Sequence, residues 1–220
     1  MAPQPIVIVG AGGFGREVLQ FIRDVNAHED QRWEILGFLD EQAPTGDLLT
    51  SVGAKYLGKP SHTELVRDLS PHCAFTIAIG SSVDRSTNFD LMLISGFEPV
   101  SIIHPSAWVG NTVTMGTGQV ICPGSVVTTN ITLGQGCQMG GVCTVGHDSI
   151  LGDFVTLGPG AKISGNVRIG SFATIGSNAS VIPGVTLGEG CTVGAGAAVI
   201  RDVEPGTTVV GVPAHPISGR

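Results

Sequence analysis

The chain has 220 residues, 42% of them hydrophobic and 13% charged, so it can bury a core, and disorder driven by charge or low hydrophobicity is excluded. With 11 Lys and Arg against 18 Asp and Glu, the formal net charge of -7 opposes a sequence-independent grip on nucleic acid or an anionic membrane. Glycine supplies 33 residues and aromatic residues only 5%, a composition that favours tight, repeated backbone turns.

The opening Met1-Ala2-Pro3-Gln4-Pro5 lacks the basic start of a signal peptide, and no stretch approaches the roughly 18 apolar residues of a membrane span; a cytoplasmic location is the expectation. The β-branched run at residues 6–9 predicts a buried strand. It is followed at once by Gly10-Ala11-Gly12-Gly13-Phe14-Gly15 and then by a helical pattern over residues 16–22. Residues 35–39 predict a second strand ending at Asp40, and residues 75–79 a third ending at Gly80, with helices over 63–69 and 84–95. Alternating β and α elements imply a small parallel sheet. A Gly10-x-Gly12-x-x-Gly15 turn lets the backbone approach a ligand and aims helix amides at an anion, which suits a diphosphate, and Asp40 ends the next strand as a ribose ligand would. An isolated glycine turn often only packs a helix on a strand; here the strand, turn, helix and acidic follower all occur together. About 100 residues are too few for two mononucleotide halves, so the segment reads as half a Rossmann unit.

Charged residues thin out near residue 100, which places the domain boundary between 102 and 103 and gives an α/β domain over 1–102 and a repeat domain over 103–220. From Ile103 a six-residue frame runs unbroken to Glu204: Ile103, Val109, Met115, Ile121, Val127, Leu133 and onward to Val193 and Val199 are all aliphatic or Met. The next position is mostly Gly, as at 110, 116, 134, 140 and 146, and the fifth position is small or β-branched except at Gln119. Such a frame, with its glycine and small residues, describes short strands with an inward side chain and sharp corners; three strands close one triangular coil of 18 residues. At a strand spacing of roughly 4.8 Å this predicts a parallel β-prism of about six layers.

Cys73, Cys122, Cys137, Cys143 and Cys191 form an odd set without Cys-x-x-Cys spacing, which suits neither a disulfide framework nor a zinc site, and they read as small buried fillers. No metal is expected, because the repeat carries one histidine between His104 and His215. That residue, His147, stands at or just past a corner. A solvated surface histidine is the bland reading. Asp148 beside it strengthens a base, and Gly165, one coil further on, offers a backbone N–H to a developing oxyanion. His104 reads as a structural junction. A nicotinamide-dependent enzyme leaves the repeats without a task, and an ice-binding prism wants Thr ladders, which the frame is expected to lack.

A small nucleotide-binding-like half followed by a hexapeptide prism carrying Gly146-His147-Asp148-Ser149 and then Gly152-Asp153-Phe154 resembles the sialic-acid and bacillosamine-pathway sugar acetyltransferases of the hexapeptide-repeat class. The resemblance covers nearly the whole chain. It implies an α/β half-Rossmann domain followed by a left-handed parallel β-helix, acting as a homotrimer with acetyl-CoA as cosubstrate and no metal. The implied reaction is N-acetylation of a nucleotide-linked amino sugar, of the 4-amino-4,6-dideoxy kind, or alternatively O-acetylation of a sugar hydroxyl such as that of sialic acid. It assigns His147 as general base and Asp148 as the acid that tunes it. Gly12, Gly13, Phe14, Asp40, Glu41 and Gly80 would contact the sugar nucleotide. Thr156, Ser177 and Ala195 would line the CoA channel, and Gly165 would support the thioester carbonyl. Departures from the family pattern are Phe14 and Thr156, where histidines are frequent, Gly140 for an Asn, Gly146 for an acid, and His215 for a Lys after Gly211-Val212-Pro213-Ala214.

Overall fold

The structure, a computed structural model, describes residues 2–29, 32–64, 66 and 72–217. The chain divides into two compact units, Met1–Pro105 and Ser106–Arg220. In the first, β1 (Gln4–Val9), β2 (Trp33–Leu39), β3 (Tyr56–Gly58), β4 (Ala74–Ile77) and β5 (Glu98–Pro99) form one sheet in the order β3-β2-β1-β4-β5. All pairings are parallel. β3 and β5 were not expected from sequence: three half-buried residues and two residues ending in a proline carry no periodicity to detect. Ile6, Val7, Ile8 and Val9 are fully buried, as a central parallel strand requires.

Helix α1 (Gly13–His28) turns Val18, Leu19, Ile22 and Val25 inward. That spacing gives one apolar stripe against the sheet. Helix α2 (Ser82–Ile94) is capped by Ser81, whose hydroxyl accepts the Asp84 N–H at 3.3 Å. The helix expected over residues 63–69 falls mostly outside the described residues. His104 binds Asp24 Oδ2 through Nε2 at 3.1 Å and meets Phe21 edge-on.

The second unit is a parallel prism with an 18-residue register. Its first sheet runs from Trp108–Val109 to Ala198–Val199, its second from Thr114–Met115 to Thr186–Leu187, and its third from Val120–Ile121 through Thr192–Val193 to Thr208–Val210. Val127, for example, pairs with Val109 below and Val145 above. Frame residues from Ile121 to Val199 are buried, and the stack is an aliphatic core one side chain thick.

Two details correct the sequence expectation. Glycines directly after the frame residue do not make the turn. They are there because a Cβ would strike the next coil: one on Gly140 would lie 2.6 Å from Pro159 N, and one on Gly158 2.7 Å from Ser177 N. The left-handed residue comes two places later, at Gly160 (φ 73°), Asn130 (54°), Asp148 (61°) and even Val142 (54°). Nor are the fifth-position residues mere fillers. Gln119, Ser125, Cys137, Cys143 and Ser149 each donate to the corner carbonyl fifteen residues on: Gly134, Gly140, Gly152, Gly158 and Ser164. They satisfy carbonyls that the strand ladder leaves over.

The prism also has a threonine column, contrary to expectation. Thr156, Thr174, Thr192 and Thr208 stack in register on the outside of the third sheet. Among the described residues no helix is long and apolar enough to cross a membrane, and no cluster of three or more potential metal ligands occurs.

Candidate active site

His147 projects from the corner between the first and second sheets, its side chain 66% exposed. The ring does not wave freely. Nδ1 lies 2.7 Å from Asp148 Oδ2, and since a carboxylate only accepts, Nδ1 carries the proton and the neutral ring keeps its lone pair on Nε2. Asp148 can turn its carboxylate back to the ring because its backbone is left-handed, with its N–H bonded to Thr129 O of the coil before. Its other oxygen accepts Asn130 Nδ2 at 3.3 Å. The bond from His147 and then that from Asn130 hold the Asp148 carboxyl below its ordinary 3.8.

Beneath the ring is Gly165. A Cβ there would sit 2.6 Å from His147 Nε2 and 2.7 Å from Cε1, so the absence of a side chain is what seats the imidazole. The residue itself is buried under the ring. Its amide occupies a corner position outside the coil-to-coil ladder. At the equivalent position Gln135 N–H goes to Asp153 Oδ1 (2.8 Å) and Asp153 N–H to Ser171 Oγ (3.0 Å). The Gly165 amide makes no hydrogen bond among the described residues.

The sites predicted for CoA do not gather here. Thr156 lies on the outer face of the third sheet, and Ser177 and Ala195 stack at the corner that leads from the third sheet to the first. In one chain they occupy a different edge of the prism from His147 and Gly165.

In the first unit a cavity of about 320 Å³ opens at the carboxyl ends of β1, β2 and β4, where the strand order reverses. Val9, Gly10, Asp40, Glu41, Pro60 and Ile79 line it, with Asp84, Thr87 and Asn88 from α2. Asp40 and Glu41 were expected there. Asp40 also binds the fold, since Oδ2 accepts Ala11 N–H at 2.7 Å and Oδ1 accepts Gln42 N–H at 3.1 Å. Gly12 and Gly13 lie at the start of α1 with space where a Cβ would be, and no side chain or acid caps that helix end. They present free amides to an anion. Gly10 and Gly15 serve packing: a Cβ on Gly10 would meet Ala78 O at 2.7 Å, and one on Gly15 would collide with Gly10 O. Phe14 is half-buried and Gly80 exposed; neither lines the cavity.

Five contributors were missed. Asp84, Thr87 and Asn88 recur at helical spacing just after Gly80-Ser81, a signal present in the sequence. Arg85, fully buried, donates from Nη1 to Ile79 O (2.9 Å) and Gly80 O (3.2 Å) and so fixes the loop at the end of β4. Asn130 is legible only once the 18-residue register sets it beside Asp148.

Known proteins share this architecture. Residues 5–90 match the PglD N-terminal domain, and residues 166–201 match the bacterial transferase hexapeptide model of six repeats. The chain is 34% identical over 118 residues to UDP-N-acetylbacillosamine N-acetyltransferase of Bacillus subtilis, a match spanning 53% of this chain and 50% of that enzyme. Among solved structures, the acetyltransferase domain of PglB from Neisseria gonorrhoeae, in complex with acetyl coenzyme A, is 32% identical. The likeness covers 98% of this chain and 100% of that one, with a TM-score of 0.87. A point mutant of perosamine N-acetyltransferase from Caulobacter crescentus, in complex with CoA and GDP-perosamine, is 28% identical over 99% of both chains, with a TM-score of 0.89. With a PglD-type domain, a hexapeptide prism and a relative matched along its whole length, the chain belongs to the hexapeptide-repeat sugar acetyltransferases that carry a PglD-type N-terminal domain.

Proposed function

We propose that this protein transfers the acetyl group of acetyl-CoA to the amino group of a nucleotide-linked 4-amino-4,6-dideoxy sugar, with His147 as general base. The observation that carries the reading is the His147–Asp148 pair: an exposed corner imidazole with Nδ1 tied down, Nε2 left to take a proton, and an unclaimed amide directly beneath. That the similar enzymes are N-acetyltransferases, one of them in complex with CoA and GDP-perosamine, supports an amine acceptor over a sugar hydroxyl.

The neutral amine attacks the thioester carbon, forming the C–N bond as the carbonyl electrons move to oxygen. Nε2 of His147 takes a proton from the attacking nitrogen, and Asp148 stabilises the imidazolium that results. The Gly165 amide donates to the oxyanion. When the carbonyl re-forms, the C–S bond breaks, and the departing sulfur takes the proton back from His147 to leave CoA thiol and the amide. In the first unit, Gly12 and Gly13 amides hold the diphosphate, and the cavity edged by Asp40, Glu41 and Asp84 receives the nucleoside.

The proposed assembly is a trimer, and the separation of the two edges supports it. The base edge and the Thr156, Ser177 and Ala195 edge of one prism face different directions, so a CoA channel using both forms where two copies meet, and cyclic closure gives three such channels. The reaction belongs in the cytoplasm, where acetyl-CoA and nucleotide sugars are made. Five free, buried thiols agree with a reducing compartment. Incubating the protein with acetyl-CoA and a panel of UDP-, dTDP- and GDP-linked 4-amino sugars, with sialic acid as the hydroxyl control, tests the reading by release of CoA thiol. Thiol release with sialic acid alone would overturn it in favour of O-acetylation.

A further inference from the structure

We propose that Asn130 is a positioning residue for the base: its amide fixes one oxygen of Asp148 so that the other stays on Nδ1 of His147. The inference rests on His147 being the base proposed above. Asp148 is exposed at a corner, where an untethered carboxylate rotates about its last bond and trades partners with water. Asn130 removes that freedom. It stands 18 residues before Asp148, in the same column of the same corner, and both residues have left-handed backbones that turn their side chains out along one edge. Nδ2 of Asn130 reaches Asp148 Oδ1 at 3.3 Å while Oδ2 holds the ring at 2.7 Å, so each oxygen is committed to its own partner, one in the coil before and one beside it. Asn130 is itself held by its N–H on Thr112 Oγ1 at 2.9 Å, one coil earlier still. The chain Thr112, Asn130, Asp148, His147 thus crosses three coils and ends on the ring that takes the proton. Tautomer choice is its product: with Oδ2 in place the ring proton stays on Nδ1, and without it the proton is free to sit on Nε2, where it blocks the base.

The test separates this from a plain turn role. Asn130→Gly keeps the left-handed turn and the backbone bond to Thr112 while deleting the amide, and Asn130→Asp keeps size and turn preference but replaces the donor with a second acceptor facing Asp148. Both should fold and assemble as the parent. With acetyl-CoA and GDP-perosamine or a UDP-linked 4-amino sugar, kcat should fall about fivefold in Asn130→Gly and further in Asn130→Asp, with KM for both substrates unchanged. Nitrogen-15 NMR of the histidine rings should show His147 with its proton on Nδ1 in the parent and a growing Nε2–H population in both variants. Parent-like kcat and an unchanged tautomer in Asn130→Gly would overturn the proposal. The ring spectra need no sugar substrate, so they judge Asn130 even if no sugar on the panel is acetylated.

Discussion

His147 acquires its chemistry from what surrounds it: a carboxylate on one nitrogen and a glycine under the other. His147→Ala should therefore lower kcat on the order of a hundredfold or more, with acetyl-CoA binding by calorimetry and circular dichroism unchanged, because the frame residues Val145 and Leu151 on either side keep the stack. Asp148→Asn should cost less and move the acidic limb of the rate profile to lower pH, since an amide stabilises an imidazolium less than a carboxylate does. Asp148 is held below its ordinary 3.8 in the fold, so the pairing it makes persists above that value and is lost as pH falls beneath it. The cysteines have no such part to play. Burial pushes Cys73 up to about 12 and Cys191 to about 11, and all five thiols are buried, so Ellman's reagent at pH 8 should find none of them in the native protein and all five in guanidinium. Rapid labelling of the native protein would show that the fold opens around them.

At the scale of the coil, the fold and its chemistry share one rule, that each corner residue is chosen by the coil next to it. Gly165→Ala tests this: its backbone is not left-handed, yet the new methyl lands on the imidazole, so activity should drop about tenfold with little loss of stability. Val142 is the converse case. A β-branched residue at φ 54°, 57% exposed, gains nothing from the core, and Val142→Asn should stabilise the protein by about 1 kcal/mol, read as a higher midpoint in urea. The aliphatic frame was legible in the sequence because inward side chains repeat at a fixed interval whatever the corners do. The corner geometry was not, since glycine serves two needs there, close approach after the frame residue and left-handed φ two places later, and composition alone does not separate them. Likewise the donation from Ser125, Cys143 and Ser149 to carbonyls fifteen residues away depends on a register that only stacking creates. In the first unit the central strands were read from their β-branched runs, whereas the helical spacing of Asp84 and Asn88 puts them on one face but does not say that the placement of α2 brings that face to the cavity.

For the whole molecule, the decisive fact is that one prism carries the two halves of the proposed site on different edges. His147 and Gly165 lie at the corner after the first sheet, Ser177 and Ala195 at the corner after the third. If neighbouring copies join these edges, a chain lacking the base and a chain with a blocked CoA edge should repair one another. His147→Ala supplies the first. Ala195→Trp supplies the second, because Ala195 is exposed and an added ring there intrudes on the channel without entering the core. Each variant alone should be nearly inactive and trimeric by light scattering. Co-expressed in equal amounts and assembled at random, they should recover about a quarter of parent activity, since a working site needs its base from one variant and its free edge from the other, each present half the time. Recovery should vanish when the two are mixed only after assembly, as closed rings exchange slowly. If co-assembled trimers form and no activity returns, base and CoA edge belong to one chain's own site, and the trimer would have no part in catalysis.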